Sequence, residues 1–305
     1  MKKLNITWDG IHDSTGYLFS FAKSLSCAVK NSPWAEYAED IVATSGFAFR
    51  MWVAADLCPS STSIWEFGKQ PSWVTSGGLD CEYTERLWNE DAIEEKQRLA
   101  AVEQIKKSID NGIPAVSWDI GVPEWGLIIG YDDDTQMFAT LAVNGESEMA
   151  YHVLGKRELP IMSVLTVTGA SGKSESDILK DTIKLAASHL KGEEWCGNAN
   201  GLEAYPALYK HFETDDPEFA LCWSMEYLLG TFGALKYYAW KYFEKMKQTE
   251  LAGIYKSVYD AWLEAFQIKK QQDVSQPDIK AKIAALLKSA HENEIKAVEI
   301  MEKNV

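Results

Sequence analysis

The chain is short of what builds a metal centre or a disulfide framework. Its 305 residues include five cysteines and five histidines. Cys27, Cys58, Cys81, Cys196 and Cys222 are odd in number, widely spaced and never in a C-x-x-C pair, which excludes a disulfide ladder and a zinc site of the usual spacing. None of His12, His152, His189, His211 and His291 has another histidine at the short spacing that places two ligands on one helix face, so neither metal nor cofactor is expected. Arginine occurs only as Arg50, Arg86, Arg98 and Arg157, and 30 basic residues against 45 acidic ones give a formal charge of -15. Without a basic stripe, such a chain repels a phosphate backbone, and nucleic acid is not an expected partner. No apolar run reaches the roughly 18 to 20 residues of a membrane span, and no apolar segment follows Lys2 and Lys3 as in a signal peptide. A soluble, cytoplasmic protein without a membrane partner is the expectation.

Tryptophan, in contrast, is abundant: twelve in all, eight of them before residue 130. An indole N–H wants a partner when buried, so this density fits an aromatic core or a cleft lined by rings, and core packing is the commoner use. The two halves of the chain also differ. From about residue 177 every stretch reads as helix, with apolar residues at three-to-four spacing over 177–190, 201–212, 217–246, 251–270 and 279–301. Asp216-Pro217 has the form of a cap followed by proline at the first helical position. Lysines and glutamates cover the remaining faces of these helices, as on a solvated surface. The run Gly169-Ala-Ser-Gly-Lys-Ser-Glu-Ser176 that precedes them is small and polar, and reads as a linker.

The first half mixes periods. Helices are expected over 13–30, 36–44 and 91–110, the last stopped by Asn111-Gly112-Ile113-Pro114. Short apolar runs at 115–119, 125–130, 136–142 and 159–167, separated by turn residues that include Asp132-Asp133-Asp134, read as strands. Helices followed by an antiparallel sheet make an α+β domain over 1–168, then a linker over 169–176 and an all-α bundle over 177–305.

Particular residues carry a resemblance. A helix opening at Asp13-Ser14-Thr15-Gly16, the segment Ser45-Gly46-Phe47-Ala48-Phe49-Arg50, and an apolar strand running into Gly130-Tyr131-Asp132-Asp133 resemble the papain-like cysteine hydrolase fold. The similar variants are the C39-like peptidase domains and the N-terminal domain of the butirosin-biosynthesis acyltransferase. The likeness covers about residues 8 to 165, and the helical half resembles the α-helical tail that follows this domain in bacterial relatives. It implies a nucleophile at the N-terminus of the first long helix, a base before the strand that runs into Gly-Tyr-Asp-Asp, and an orienting residue at the end of the next strand. Carried over, those positions fall on Ser14, with Thr15 one residue along, on Glu124 and on Asn144. The family's Cys and His are thus replaced, and Trp8-Asp9-Gly10 stands where a glutamine would assist the oxyanion.

A helix N-terminus lowers a thiol's pKa and offers N–H groups to an oxyanion, but a serine needs a strong base, which a carboxylate of ordinary acidity, near ~4.3, is not. The remaining candidates are weighed against plain structural roles. Cys27 reads as core, Cys58 as a loop thiol, and Cys81 as a poor nucleophile between acidic neighbours. His12 and His152 are potential bases near the cleft whose plainer reading is a surface histidine. The expected function is therefore a catalytically degenerate papain-like protein that keeps its cleft for a small, cationic or amine-bearing ligand. Trp8, Asp9, His12, Thr15, Trp118, Asp119 and Trp125 are its expected ligand contacts. An amide hydrolase or acyltransferase that uses Ser14 with Glu124 or His12 as an unusual base is the alternative. A third reading is a protein-interaction module, through partner docking or self-association on the aromatic helix that bears Trp223, Tyr227 and Phe243.

Overall fold

The computed structural model describes residues 1–63, 65–195, 197–214 and 218–303; Cys196 and the Asp216-Pro217 helix start lie outside the described residues. In chain order the elements are β1 (Lys2–Lys3), α1 (Ser20–Lys30), α2 (Ile41–Thr44), β2 (Trp52–Val53), α3 (Gln70–Ser76), β3 (Leu79–Arg86), α4 (Glu94–Asp110), β4 (Ala115–Trp118), β5 (Trp125–Asp132), β6 (Met137–Ala142), β7 (Gly145–Ala150) and β8 (Met162–Ala170). After them come α5 (Glu175–Leu190), β9 (Ala199–Asn200), α6 (Ala204–Tyr209), α7 (Glu218–Leu221), α8 (Trp223–Lys245), α9 (Thr249–Gln271) and α10 (Pro277–Lys303). The protein is α+β, with an antiparallel sheet and a C-terminal helical region.

Two compact units share the chain. The first comprises Met1–Ile11, Ser20–Ile41 and Phe67–Lys173, and the second His12–Phe19, Val42–Glu66 and Ser174–Val305. The change to helix does fall where the Gly/Ser-rich run ends, with Ser174 capping α5 by accepting from the Asp177 N–H. The units do not follow a single cut there, however, because two earlier segments pack with the helices.

In the first unit the sheet runs β3-β8-β4-β5-β6-β7, with β1 paired beside β5, and every pairing is antiparallel. The two-residue period assigns the faces. Ala115, Ile128, Phe138, Ala142, Met149, Met162 and Val164 join Ala101, Val102, Ile105 and Ile109 of α4 in one apolar core. The opposite face carries Trp118 and Trp125, opposed across the β4–β5 pair, and Phe21 of α1 packs edge-on to Trp125 at 4.8 Å between ring centroids. Most residues of α1 are buried, including Phe21, Leu25, Cys27 and Val29, as in a helix covered on nearly all sides.

The second unit is built on α8, α9 and α10. A polar network threads its apolar core: Lys236 of α8 pairs with Glu294 of α10 at 2.7 Å, and both side chains are wholly buried. The other Glu294 oxygen accepts from the Tyr205 hydroxyl at 2.9 Å, which in turn accepts from the Trp262 indole at 2.9 Å. Burial beside Glu294 pushes the Tyr205 phenol well above its ordinary range. The early segments supply Phe49, which packs against Phe243 and Tyr255, and β2, which pairs with β9. Phe243 is fully buried, whereas Trp223 is 58% exposed, so the aromatic residues of α8 do not form one exposed row. Among the described residues, no helix is long and apolar enough to cross a membrane.

Candidate functional site

The first helix begins later than its sequence predicts, and this moves the candidate site. Asp13 accepts the N–H groups of Gly16 at 2.8 Å and Leu18 at 3.1 Å through Oδ1, and Thr15 Oγ1 accepts that of Tyr17 at 3.1 Å. Gly16 has φ of +82°. These short-range side-chain bonds satisfy backbone donors in a turn and compete with the helix. Regular α-helix starts only at Ser20, six residues after Ser14.

Ser20 thus occupies the helix N-terminus that the resemblance assigns to the nucleophile. It is 4% exposed, and its hydroxyl donates to the Glu124 carboxylate in a short hydrogen bond. Its oxygen accepts the Trp125 N–H at 3.3 Å. Glu124 is half-buried and stands immediately before β5. Of the two expected reacting positions, Glu124 meets a serine at the start of α1, and that serine is Ser20.

The loop that carries Glu124 is held from several directions. Asp119 adopts φ of +51°, unusual for a residue with a side chain, and its N–H donates to the Glu124 carbonyl at 3.0 Å, closing the turn between β4 and β5. Asp119 Oδ2 accepts the Leu159 N–H at 3.3 Å, and Oδ1 lies 3.4 Å from Arg157 Nε. Arg157 also donates to the Gly121 carbonyl at 3.1 Å. Burial raises the pKa of Asp119 despite the Leu159 N–H and the Arg157 charge, both of which oppose the rise. Asn144, at the β6–β7 turn, is exposed and touches this loop: a Cβ on Gly121 would stand 2.8 Å from its Oδ1 and 2.7 Å from Ala142 Cβ. Asn144 therefore borders the Glu124 loop, although no hydrogen bond joins it to Glu124 among the described residues.

Several expected contacts lie elsewhere. Ser14, Thr15 and His12 belong to the second unit. There the buried Ser14 hydroxyl has no hydrogen-bond partner among the described residues, Thr15 donates to the Gly230 carbonyl at 2.9 Å, and the His12 ring stacks on Tyr237 at 3.6 Å. Asp9 sits by the far end of α1, and Trp8 lies under Lys23. Cys27 Sγ donates to the neighbouring Thr7 carbonyl at 3.4 Å, Lys30 donates to the Asp9 carbonyl, and the Lys23 ammonium lies 5.5 Å over the Trp8 ring. An eleven-residue helix is about 15 Å long, so Asp9 is remote from Ser20. Trp118 and Trp125 are 4% and 0% exposed and pack with Phe67 and with each other, so their faces are core surface and not the wall of an open cleft. His152 is exposed on a turn after β7.

The residue that sequence reasoning missed is Ser20. Its signal was present: the helical apolar spacing of Phe21, Leu25 and Val29 begins just after it, while Asp13 and Gly16 are turn residues. Of the three cysteines weighed above, Cys27 and Cys81 are poor replacement nucleophiles. Burial pushes the Cys27 thiol up to about 11 and the Cys81 thiol to about 12, and Cys58 is an exposed loop residue hydrogen-bonded to Ser60.

Two other places in the second unit gather polar groups. Glu194 bridges Arg50 Nε at 2.9 Å and His189 Nδ1 at 2.6 Å, and these partners hold its carboxyl below the usual range against the opposing effect of burial. A groove of about 410 Å³ runs along Phe212, Thr214, Lys280, Ala284 and Lys288, where Lys280 is engaged by the Thr214 carbonyl and Lys288 by Glu213. Neither pairs a nucleophile with a base. Among the described residues no group of three or more His, Cys, Asp or Glu side chains is arranged to hold a metal ion. Compared with models of known protein families and with curated protein sequences, the chain matches none.

Proposed function

We propose that the first unit is a papain-like domain whose reacting pair has been replaced by Ser20 and Glu124, and that it binds a small amine-bearing ligand beside Glu124 without turning it over. The observation that carries this reading is the hydrogen bond from the Ser20 hydroxyl to the Glu124 carboxylate at the N-terminus of α1. A helix start, a facing sheet and a group on the strand entry support this reading, because a nucleophile and its base would be held by such elements. The chemistry of the two groups argues for binding. A carboxylate near the reference value of about 4.3 is poorly matched to deprotonating an alcohol at neutral pH. The serine oxygen is also engaged twice, as donor to Glu124 and as acceptor from Trp125. A carboxylate recognises an ammonium group well, and the net charge of -15 concentrates cations around the protein.

The test has two arms. A fluorophosphonate probe followed by peptide mass spectrometry is expected to leave Ser20 unmodified. An adduct at Ser20 that disappears in Glu124→Gln would overturn the binding reading in favour of an acyl-transfer enzyme. In the second arm, the double variant Ser20→Cys with Glu124→His is expected to react with iodoacetamide at the introduced thiol well below pH 8, as a thiolate paired with an imidazolium does. An ordinary thiol profile at that position would count against the papain-like layout.

A further inference from the structure

The segment between β7 and β8 is held differently at its ends and at its middle. Arg86 of β3, itself buried, donates through Nη2 to the Gly155 carbonyl and through Nη1 to the Pro160 carbonyl, each at 2.6 Å. Gly155 lies so close to the start of β8 that a Cβ there would stand 2.5 Å from Met162 Cβ. The two ends are therefore pinned side by side, and Lys156, Arg157, Glu158, Leu159 and Pro160 stand exposed between them. The middle rests on one carboxylate. The Leu159 N–H donates to Asp119 Oδ2 at 3.3 Å, Arg157 Nε lies 3.4 Å from Oδ1, and Arg157 Nη2 donates at 3.1 Å to the carbonyl of Gly121, in the same turn. Both contacts at Asp119 are long beside the roughly 2.7–2.9 Å of a charge-assisted hydrogen bond. Oδ1 of this 3% exposed residue has no hydrogen-bond partner among the described residues. Lys156 adds an ion pair with Glu94 at 3.0 Å, but it is largely solvated and shares Glu94 with Arg98, which makes it a weak tether.

We propose that residues 156–160 are a pH-sensitive strap, latched to the turn between β4 and β5 while Asp119 is ionised and released from it when Asp119 takes up a proton. The charge is what holds Arg157, since a neutral carboxyl gives a guanidinium no counter-ion and accepts the Leu159 N–H less strongly. The same charge is what burial penalises, and burial raises the pKa of Asp119. Of the charged groups that bear on it, Arg157 opposes protonation and Glu158 favours it, while Glu124, at the other end of the turn, is joined to Asp119 through the backbone. As pH falls through the folded pKa, Arg157 loses its partner. Arg86 stays charged throughout and keeps both ends in place, so the motion is confined to the span between Gly155 and Pro160. Release also frees the Gly121 carbonyl in the loop that carries Glu124, whether or not Glu124 holds an amine.

The experiment uses the full chain, ¹⁵N-labelled and without ligand. The Leu159 amide proton is expected to titrate with a midpoint above the usual Asp value of about 3.9, and the heteronuclear NOEs of residues 156–159 to fall through the same pH range while those of β8 stay constant. The titration should vanish in Asp119→Asn and persist in Glu158→Gln, which separates the two carboxyls. Asp119→Asn carries a neutral side chain of nearly the same shape, and asparagine tolerates the φ of +51° at this position. At pH 8 this variant is expected to be cut by trypsin between Arg157 and Glu158 at least about tenfold faster than wild type, the size of effect that losing one charged hydrogen bond allows. A Leu159 amide that does not respond to pH, NOEs that stay high once Asp119 is protonated, or equal cleavage rates after Arg157 would overturn the latch. The first two readouts need only wild-type protein, should Asp119→Asn fail to fold.

Discussion

Ser14 and Ser20 are six residues apart and differ in every respect that matters to chemistry. Ser14 has a buried hydroxyl with no described partner, whereas Ser20 links the start of α1 to both Glu124 and the Trp125 backbone. Ser20→Ala should therefore lower unfolding stability by about 1–3 kcal/mol, since it removes the hydrogen bond to the Glu124 carboxylate and the one from the Trp125 N–H, while Ser14→Ala should stay within about 0.5 kcal/mol. Urea midpoints of the two variants check this. Asp119 gives a pH-dependent test. Its folded pKa is raised, so the native state holds the proton more tightly than the unfolded chain, and its contribution to stability falls as pH rises from the unfolded value through the folded one. Asp119→Asn removes that loss, and the stability of the variant relative to wild type should increase between pH 3 and pH 7. A flat or declining difference would show that the ties to Leu159 and Arg157 outweigh burial. At this scale Glu124 was singled out by the resemblance, as the position before the strand that runs into Gly130-Tyr131-Asp132-Asp133. Ser20 was hidden because the competition between an Asp13 turn and a helix is decided by bonds that spacing alone does not display.

Elements were legible in proportion to their burial. β4, β5, β6 and β8 announce themselves as apolar runs, because both of their faces are covered. β3 and β7 lie at the two edges of the sheet, carry sequences such as Leu79-Asp-Cys-Glu-Tyr-Thr-Glu-Arg86 and Gly145-Glu-Ser-Glu-Met-Ala150, and were not anticipated. Their polar residues suit edge strands and look like loop to a hydrophobic period. In the helical unit, α8, α9 and α10 were visible from their apolar spacing, but the Lys236–Glu294 pair inside them was not, since both residue types usually belong to the solvated face. Lys236→Met should cost about 3–5 kcal/mol, because Glu294 is left as an uncompensated buried charge, and adding Glu294→Leu should restore most of it. Denaturant unfolding of the single and double variants measures the difference. Failure of the double variant to recover would mean that Tyr205, which also loses its acceptor, carries much of the cost.

At the scale of the molecule, the composition shift near residue 170 marks where helix takes over, but not the whole membership of the second unit. Cutting the chain there would discard Arg50, whose guanidinium holds Glu194 and stacks 4.1 Å over Trp52, and Phe49, wholly buried against Phe243 and Tyr255. The expected outcome is that a fragment of residues 174–305 lacks a cooperative thermal transition, given that losing one buried Phe side chain alone costs about 3–5 kcal/mol. Circular dichroism melting of that fragment against the full chain is the check, and a sharp transition in the fragment would show that its helices suffice.

The distribution of segments between the units also sets an order of events during synthesis. Residues 67–173 emerge together, and the sheet and the helices that cover it can form from them and the earlier segments while translation continues. The second unit is different: Phe47, Phe49 and Trp52 leave the ribosome some two hundred residues before Phe243, Tyr255 and Glu294 do. At about 5–20 residues per second this strongly apolar segment waits on the order of ten seconds or more for its neighbours. Its contacts are also of high sequence separation, which slows closure once the chain is free. Until then the growing chain carries this aromatic segment without its native neighbours.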